Sequence, residues 1–161
     1  MRKVIVTKVT RADLTVVDQL AELGVATVHE AIGRAGYLGP GLRPIQDGMR
    51  IGGTAVTAVC WPGDNLMIHA AVEQCQAGDL LVVTTTSPST DGMFGELLAT
   101  SLAARGVRGL VTTAGVRDVA ELRARSTCRC RSAGRSSGPA TQSSRTTTAW
   151  CACPAPTSAR R

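Results

Sequence analysis

Apolar residues follow two rhythms along the first 124 positions, one suited to helices and one to strands. The segment Leu14–Leu23 sets Asp18 and Glu22 on its outer side and predicts a first helix, with Gly24 as its stop. Thr27 then stands where it could cap a second helix, "VHEAIGRAG", with Glu30 three residues on as a capping box. Gly36, Gly39, Pro40 and Gly41 mark a loop. "RIGGTAVTAVC" reads as a strand, "WPGDN" as a turn, and Leu66 to Gln76 as a helix that stops before Gly78. "DLLVVTTT" is almost wholly apolar, as a strand buried on both faces would be. Residues 88–94 read as a loop, and Gly95 to Arg105 as a helix of small and apolar residues ended by Gly106. "GLVTTAG" predicts another buried strand, and "VRDVAELRA" the start of a further helix. Strands alternating with helices predict an α/β fold with some parallel pairing. No internal repeat is visible.

Length and composition narrow this. A chain of 161 residues suggests one domain with a real core. With only 2% aromatic residues, that core must rest on Val, Leu, Ile and Ala. The start "MRKVIVTKVT" has no long apolar stretch of a secretory signal, and no run approaches the ~20 residues of a membrane span. A soluble, cytoplasmic protein without a membrane partner is the expectation.

The net charge of +6 invites a nucleic-acid reading, but its distribution argues against one. Residues 1–124 hold 11 Lys plus Arg against 12 Asp plus Glu, whereas residues 125–161 hold 7 Arg and no acid. That tail also has 13 Ser plus Thr and no Val, Ile, Leu, Met or Phe. Such a segment cannot bury enough apolar surface to offset its ordering entropy. A boundary near Arg125 is expected, with residues 1–124 as the folded domain and residues 125–161 as an irregular basic tail. The basic character then belongs to the tail alone, and no nucleic-acid partner is expected.

Candidate chemistry lies in "GELLATSLAARGVRGLVTTAGVRD", residues 95 to 118. Gly95 stands where a loop becomes a helix. The first amides of that helix, around Glu96, Leu97 and Leu98, have no partner within it and sit at its positive end. A carboxylate is a natural ligand there, and a glycine lets it come close to the backbone. Arg117 and Asp118 follow the strand "GLVTTAG", at the strand end where α/β proteins collect functional groups. Arg117 could hold a carboxylate through its fork of donors, and Asp118 could anchor a hard cation largely through bound water. Together they would bind a 2-oxo acid, with the metal polarising its keto oxygen toward an enolate. From spacing alone the plainer alternative stays open. A glycine before a helix is commonly a turn, and Arg-Asp at a helix start is commonly a solvated pair. His29, Glu30 and His69 read as capping, surface or packing residues without a catalytic role.

"GVATVHEAIGRAGYL" and "GELLATSLAARGVRGLVTTAGVRD", with the spacing of Glu96 to Arg117 and Asp118, resemble the class II, metal-dependent pyruvate aldolases. These are the 4-hydroxy-4-methyl-2-oxoglutarate / 4-carboxy-4-hydroxy-2-oxoadipate aldolases, relatives of the RraA-like regulators of ribonuclease E. The likeness covers about residues 10–124. It implies an RraA-like swivelling β/β/α domain and retro-aldol cleavage of a 4-hydroxy-2-oxo diacid to pyruvate and a second oxo acid. Oxaloacetate decarboxylation would be a side activity, Mg²⁺ or Mn²⁺ the cofactor, and a homotrimer or hexamer the assembly, with sites between subunits. Carried over by position, Gly95, Glu96, Leu97 and Leu98 resemble the substrate-carboxylate loop, Arg117 the pyruvate-binding arginine and Asp118 the metal ligand. Catalysis would rest on Arg117 and Asp118, and Glu121 fits an Arg-Asp-x-x-acid extension. One departure is Glu96, where the aldolases carry Asp and the inactive regulators tend to carry Gly. An acid at this position favours the aldolase over the rival, a non-catalytic regulator of ribonuclease E.

The larger departure begins after "ELRA". Cys128/Cys130 and Cys151/Cys153 form two Cys-x-Cys pairs, tighter than the usual spacing of structural zinc sites. A disulfide framework is not expected in a cytosolic chain. Translated one base out of frame, residues 126–157 yield Val-rich strand runs with Pro-Gly-Asp and Asp-Asp-Asp-Gly turns. The resemblance leads one to expect such a segment there. The tail therefore reads as a frameshift product, which leaves the domain truncated on its C-terminal side.

Overall fold

The computed structural model of the chain describes residues 4–46, 50–124, 128–132 and 148–150. In chain order the elements begin with helix α1 (Leu14–Leu23), helix α2 (Val25–Ala31), strand β1 (Leu42–Pro44), strand β2 (Gly52–Cys60) and helix α3 (Leu66–Gln74). Strand β3 (Asp79–Thr85), strand β4 (Gly92–Phe94), helix α4 (Glu96–Ala104) and strand β5 (Gly109–Thr112) follow. The last are strand β6 (Gly115–Val116), helix α5 (Val119–Ala124), strand β7 (Cys128–Ser132) and strand β8 (Thr148–Trp150).

The α/β class and the parallel pairing follow the apolar pattern. β3 lies between β2 and β5, parallel to both. All four residues of β5 are buried, as are Leu80, Leu81 and Val83 of β3. A strand covered on both faces needs apolar residues on both. One continuous core joins Val56, Leu81, Val83 and Leu110 of the strands to Ile68 and Val72 of α3 and Leu98 and Leu102 of α4. Phe94, the one phenylalanine, is 1% exposed within it. The six-stranded order is β1-β7-β5-β3-β2-β8.

Several boundaries depart from the pattern. α2 begins at Val25, directly after Gly24, so Thr27 and Glu30 lie inside the helix and form no capping box. Gly24, at φ +83°, closes α1 and opens α2 in a single residue, so no separate cap is needed. Positive φ at Gly33 and Arg34 ends α2 well before Gly36. α3 ends at Gln74, where the extended Cys75 turns the chain toward β3. The expected loop at 88–94 contains β4, and "GLVTTAG" is two strands, because β6 leaves the large sheet to pair with β4.

Two stretches of the basic tail are extended. β7 runs parallel to β5 and antiparallel to β1, and β8 is antiparallel to the start of β2. They supply hydrogen-bonding partners to strand edges that would otherwise be open. The remainder of 125–161, with Cys151 and Cys153, lies outside the described residues.

The N-terminal segment is held by charge. Arg11 donates through Nε and Nη2 to both carboxylate oxygens of Asp79 at 2.9–3.1 Å, and through Nη2 to the Gln74 carbonyl at 2.8 Å. The Gln76 amide adds a bond to Asp79 Oδ2 at 2.8 Å. Asp79 is 1% exposed, and these donors offset the cost of burying its polar oxygens.

Candidate functional site

β4 and β6 form a two-stranded parallel ribbon beyond the carboxyl end of β5. Gly92 pairs with Gly115 and Phe94 with Val116, and the Arg117 amide donates to the Phe94 carbonyl at 2.7 Å. The ribbon therefore brings the residue before α4 beside the residue before α5, although 22 positions separate Glu96 from Asp118.

Asp118 has φ +53°, a left-handed conformation that Asp tolerates better than most residues. That conformation turns its carboxylate toward α4. Asp118 Oδ2 accepts from the Glu96 amide at 3.0 Å. The N-cap residue of α4 is Gly95, which has no side chain to cap it, so Asp118 caps the helix from a distant part of the chain. A methyl group on Gly95 would lie 2.6 Å from Asp118 Oδ2 and 3.7 Å from Arg117 Cβ. Only a glycine leaves that space.

Gly95, Glu96, Arg117 and Asp118 thus share one place at the carboxyl ends of the strands. Arg117 and Asp118 are exposed. Leu97 is 85% exposed at the mouth of the site, while Leu98 turns its side chain into the core and could offer a ligand only its amide. Because the Glu96 amide is already bonded to Asp118, an incoming carboxylate meets the amides of Leu97 and Leu98 first. Glu121 stands exposed in the first turn of α5.

Among the described residues no group of three or more His, Cys, Asp or Glu side chains converges on a point. Mg²⁺ keeps several waters and is commonly held by one or two carboxylates plus substrate. Asp118, fixed by the Glu96 amide yet open to solvent, is a carboxylate that could hold such an ion.

Other candidates have structural roles. His29 Nε2 is buried without a hydrogen bond among the described residues, and its ring lies 5.8 Å from Tyr37. Cys60 and Cys75 are buried, and burial pushes the Cys75 thiol up to about 12, with Asp79 adding to the shift. Both pack within the core as small apolar side chains. An open cleft of about 780 Å³ lies at the opposite end of the sheet, beside Asp18, Glu22, Arg50 and Arg108. There Arg108 donates to the Asp18 carboxylate and to the Gly52 carbonyl, and this bonding holds the exposed Asp18 carboxyl below its ordinary range. Gly92 and the hydroxyl pair of Thr84, near the end of β3, and Thr113, just after β5, 3.1 Å apart, also lie at the candidate site's end of the sheet. Neither has a local signal, since each depends on a contact with a distant segment.

A sequence profile described as RraA-like, Aldolase/RraA, matches residues 15–149. A protein of Burkholderia multivorans named "Putative 4-hydroxy-4-methyl-2-oxoglutarate aldolase" is 36% identical over 106 residues, covering 64% of each chain. One of the same name from Halalkalibacterium halodurans is 21% identical over 110 residues, 68% of this chain and 52% of its own length. The chain thus matches between half and two thirds of these relatives. Among solved structures, Streptomyces coelicolor RraAS2, described as an unusual member of the RNase ES inhibitor RraA protein family, superposes with a TM-score of 0.67 at 26% identity. That match covers 76% of this chain and 64% of RraAS2. RraA from Thermus thermophilis, described as an RNA-processing inhibitor, superposes with a TM-score of 0.58 at 21% identity over 66% of this chain and 64% of its own. No helix among the described residues is long and apolar enough to cross a membrane.

Proposed function

The chain belongs to the RraA-like family, Aldolase/RraA, and from that premise we propose that it is a carbon–carbon lyase of the class II pyruvate aldolase type. Its substrate would be 4-hydroxy-4-methyl-2-oxoglutarate or the 4-carboxy-4-hydroxy-2-oxoadipate analogue, cleaved to pyruvate and a second 2-oxo acid. Oxaloacetate decarboxylation would be a side activity and a homotrimer or hexamer the working assembly. The observation that carries the proposal is the Asp118–Glu96 bond of 3.0 Å, with Arg117 Cβ beside Gly95 and the arginine stem laid over Gly92. It supports a cationic fork, a helix N-terminus and a carboxylate acting on one small anion.

In this reading the substrate's 1-carboxylate lies between the Arg117 guanidinium and the free amides at the start of α4. That fixes the 2-oxo group toward Asp118. A divalent cation held by Asp118 would polarise that keto oxygen when bound. The C3–C4 bond breaks and its electron pair forms the C2–C3 double bond of an enolate; the C4 hydroxyl gives its proton to water as it becomes the second oxo group, and a proton from water on C3 completes pyruvate. In oxaloacetate the same electron flow releases carbon dioxide. Arg117 and the α4 amides act by orientation, which converts a loose encounter into a reactive alignment. Leu97, exposed at the rim, would meet the distal half of the substrate.

The test is pyruvate release, followed by coupled reduction, from 4-hydroxy-4-methyl-2-oxoglutarate and from oxaloacetate. Release is expected with Mg²⁺ or Mn²⁺ and its loss with EDTA. A full rate in EDTA rejects the metal-dependent mechanism. The likeness to RraAS2 favours one rival, a binding protein that restrains a ribonuclease. No release from either substrate with either metal would leave that rival standing.

We also propose that residues 125–161 derive from a shifted reading frame, on the strength of seven Arg without an acid and no aliphatic residue larger than Ala. The segment still supplies β7 and β8, and the family match runs on to residue 149. The encoding DNA is expected to hold, one base away, a Val-rich frame with a Pro-Gly-Asp turn. Finding no open frame there would end this proposal.

A further inference from the structure

We infer that Gly92 is a positioning residue for Arg117: the bare backbone at position 92 is the seat on which the arginine stem lies. A methyl group built on Gly92 would overlap Arg117 Cγ and stand 3.0 Å from Cδ and 3.7 Å from Cβ. Three consecutive carbons of one side chain thus occupy the place a residue at 92 would fill. The main chain of Arg117 is fixed at the far end of β4 by its bond to the Phe94 carbonyl, 2.7 Å. The side chain therefore runs back along the ribbon to the start of β4.

Backbone conformation does not explain the glycine. Gly92 is absent from the positive-φ residues of the chain, unlike Gly78 or Gly106, so an L-residue could adopt its conformation without strain. In a strand, glycine is disfavoured relative to residues with a side chain. A larger residue at 92 would displace the arginine stem from its seat. Arg117 is exposed, and a free arginine explores many rotamers. Resting its stem on a strand removes much of that freedom before a ligand arrives, which is preorganisation.

The inference rests on the proposal that Arg117 holds the substrate carboxylate, and its test separates the two. Gly92→Ala, Arg117→Ala and the double variant are compared in the full chain. The first readout is the thermal midpoint, which does not depend on catalysis. Gly92→Ala is expected to lower it by about 3 °C or more when Arg117 is present, and to leave it level or raised when Arg117 is Ala. The second readout is binding of oxalate, a planar dianion shaped like the enolate of pyruvate, in saturating Mg²⁺. Gly92→Ala is expected to weaken it about tenfold, and to raise KM about tenfold with kcat within about threefold, and to add nothing in the Arg117→Ala background. Equal effects of Gly92→Ala with and without Arg117, or none in either, overturn the inference. A Gly92→Ala chain that folds only when Arg117 is also removed supports it, and failure to fold in both backgrounds overturns it. Oxalate binding that survives Arg117→Ala refutes the carboxylate role of Arg117, while the thermal cycle still decides whether Gly92 seats it.

Discussion

Asp118→Asn is expected to lower metal-dependent pyruvate release by about a hundredfold or more while leaving the fold in place. The magnitude follows from the role proposed for the carboxylate. A Lewis acid at a keto oxygen is worth several kcal/mol of transition-state stabilisation, and about 1.4 kcal/mol is tenfold in rate. Asparagine removes the charge that would anchor the cation. It keeps an oxygen that can accept from the Glu96 amide, now 3.0 Å from Oδ2, and it tolerates the left-handed backbone at φ +53°. Asp118→Ala would be a poorer choice, because it also uncaps α4 and strains the turn, so a fall in activity could come from either source. The measurement is kcat/KM for oxaloacetate at several Mg²⁺ concentrations, beside the thermal midpoint. An Asn variant with full activity at low Mg²⁺ would remove Asp118 from the metal site. An Asn variant that unfolds would show that the charge itself, and not only the cap, holds the ribbon together.

The second large effect concerns stability. Asp79→Ala is expected to destabilise the chain by about 3 kcal/mol, the lower end of the range for breaking a buried ion pair. The lower end applies because Arg11 remains 24% exposed and can regain some water. The substitution removes the acceptor of three bonds from Arg11 and of one from the Gln76 amide. Among the described residues it leaves the guanidinium held by the carbonyls of Val9 and Gln74. Urea unfolding of Asp79→Ala and of Arg11→Ala decides the matter. Removing Asp18, whose ion pair with Arg108 is exposed, should leave the midpoint nearly unchanged by comparison. Equal effects of Asp79→Ala and Asp18→Ala would mean that the Arg11–Asp79 pair is no tighter than a surface pair.

Much of the fold was legible in the sequence. The helix at Leu14–Leu23 has the boundaries its period predicts, and the buried strands around "DLLVVTT" and "GLVT" stand side by side in parallel. Those elements are long or mostly apolar, so local patterning and burial agree on them. The capping box at Thr27 and Glu30 was a local signal that lost to another local feature, the single-residue break at Gly24. β4 and β6 had no signal, because strands of three and two residues have too few positions for an alternation to register.

For the candidate site the division follows distance along the chain. The types and order of Gly95, Glu96, Arg117 and Asp118 are properties of the sequence, and so is a helix start whose first amides find no partner within the helix. The capping of α4 by Asp118 is not, and neither is the seat of Arg117 on Gly92. Each joins segments more than twenty residues apart, and each exists because β6 departs from β5 to pair with β4. Hydrophobic periodicity records which face of an element is buried. It carries no record of which distant backbone lies bare enough to receive a side chain, and that is decided only when the strands have paired.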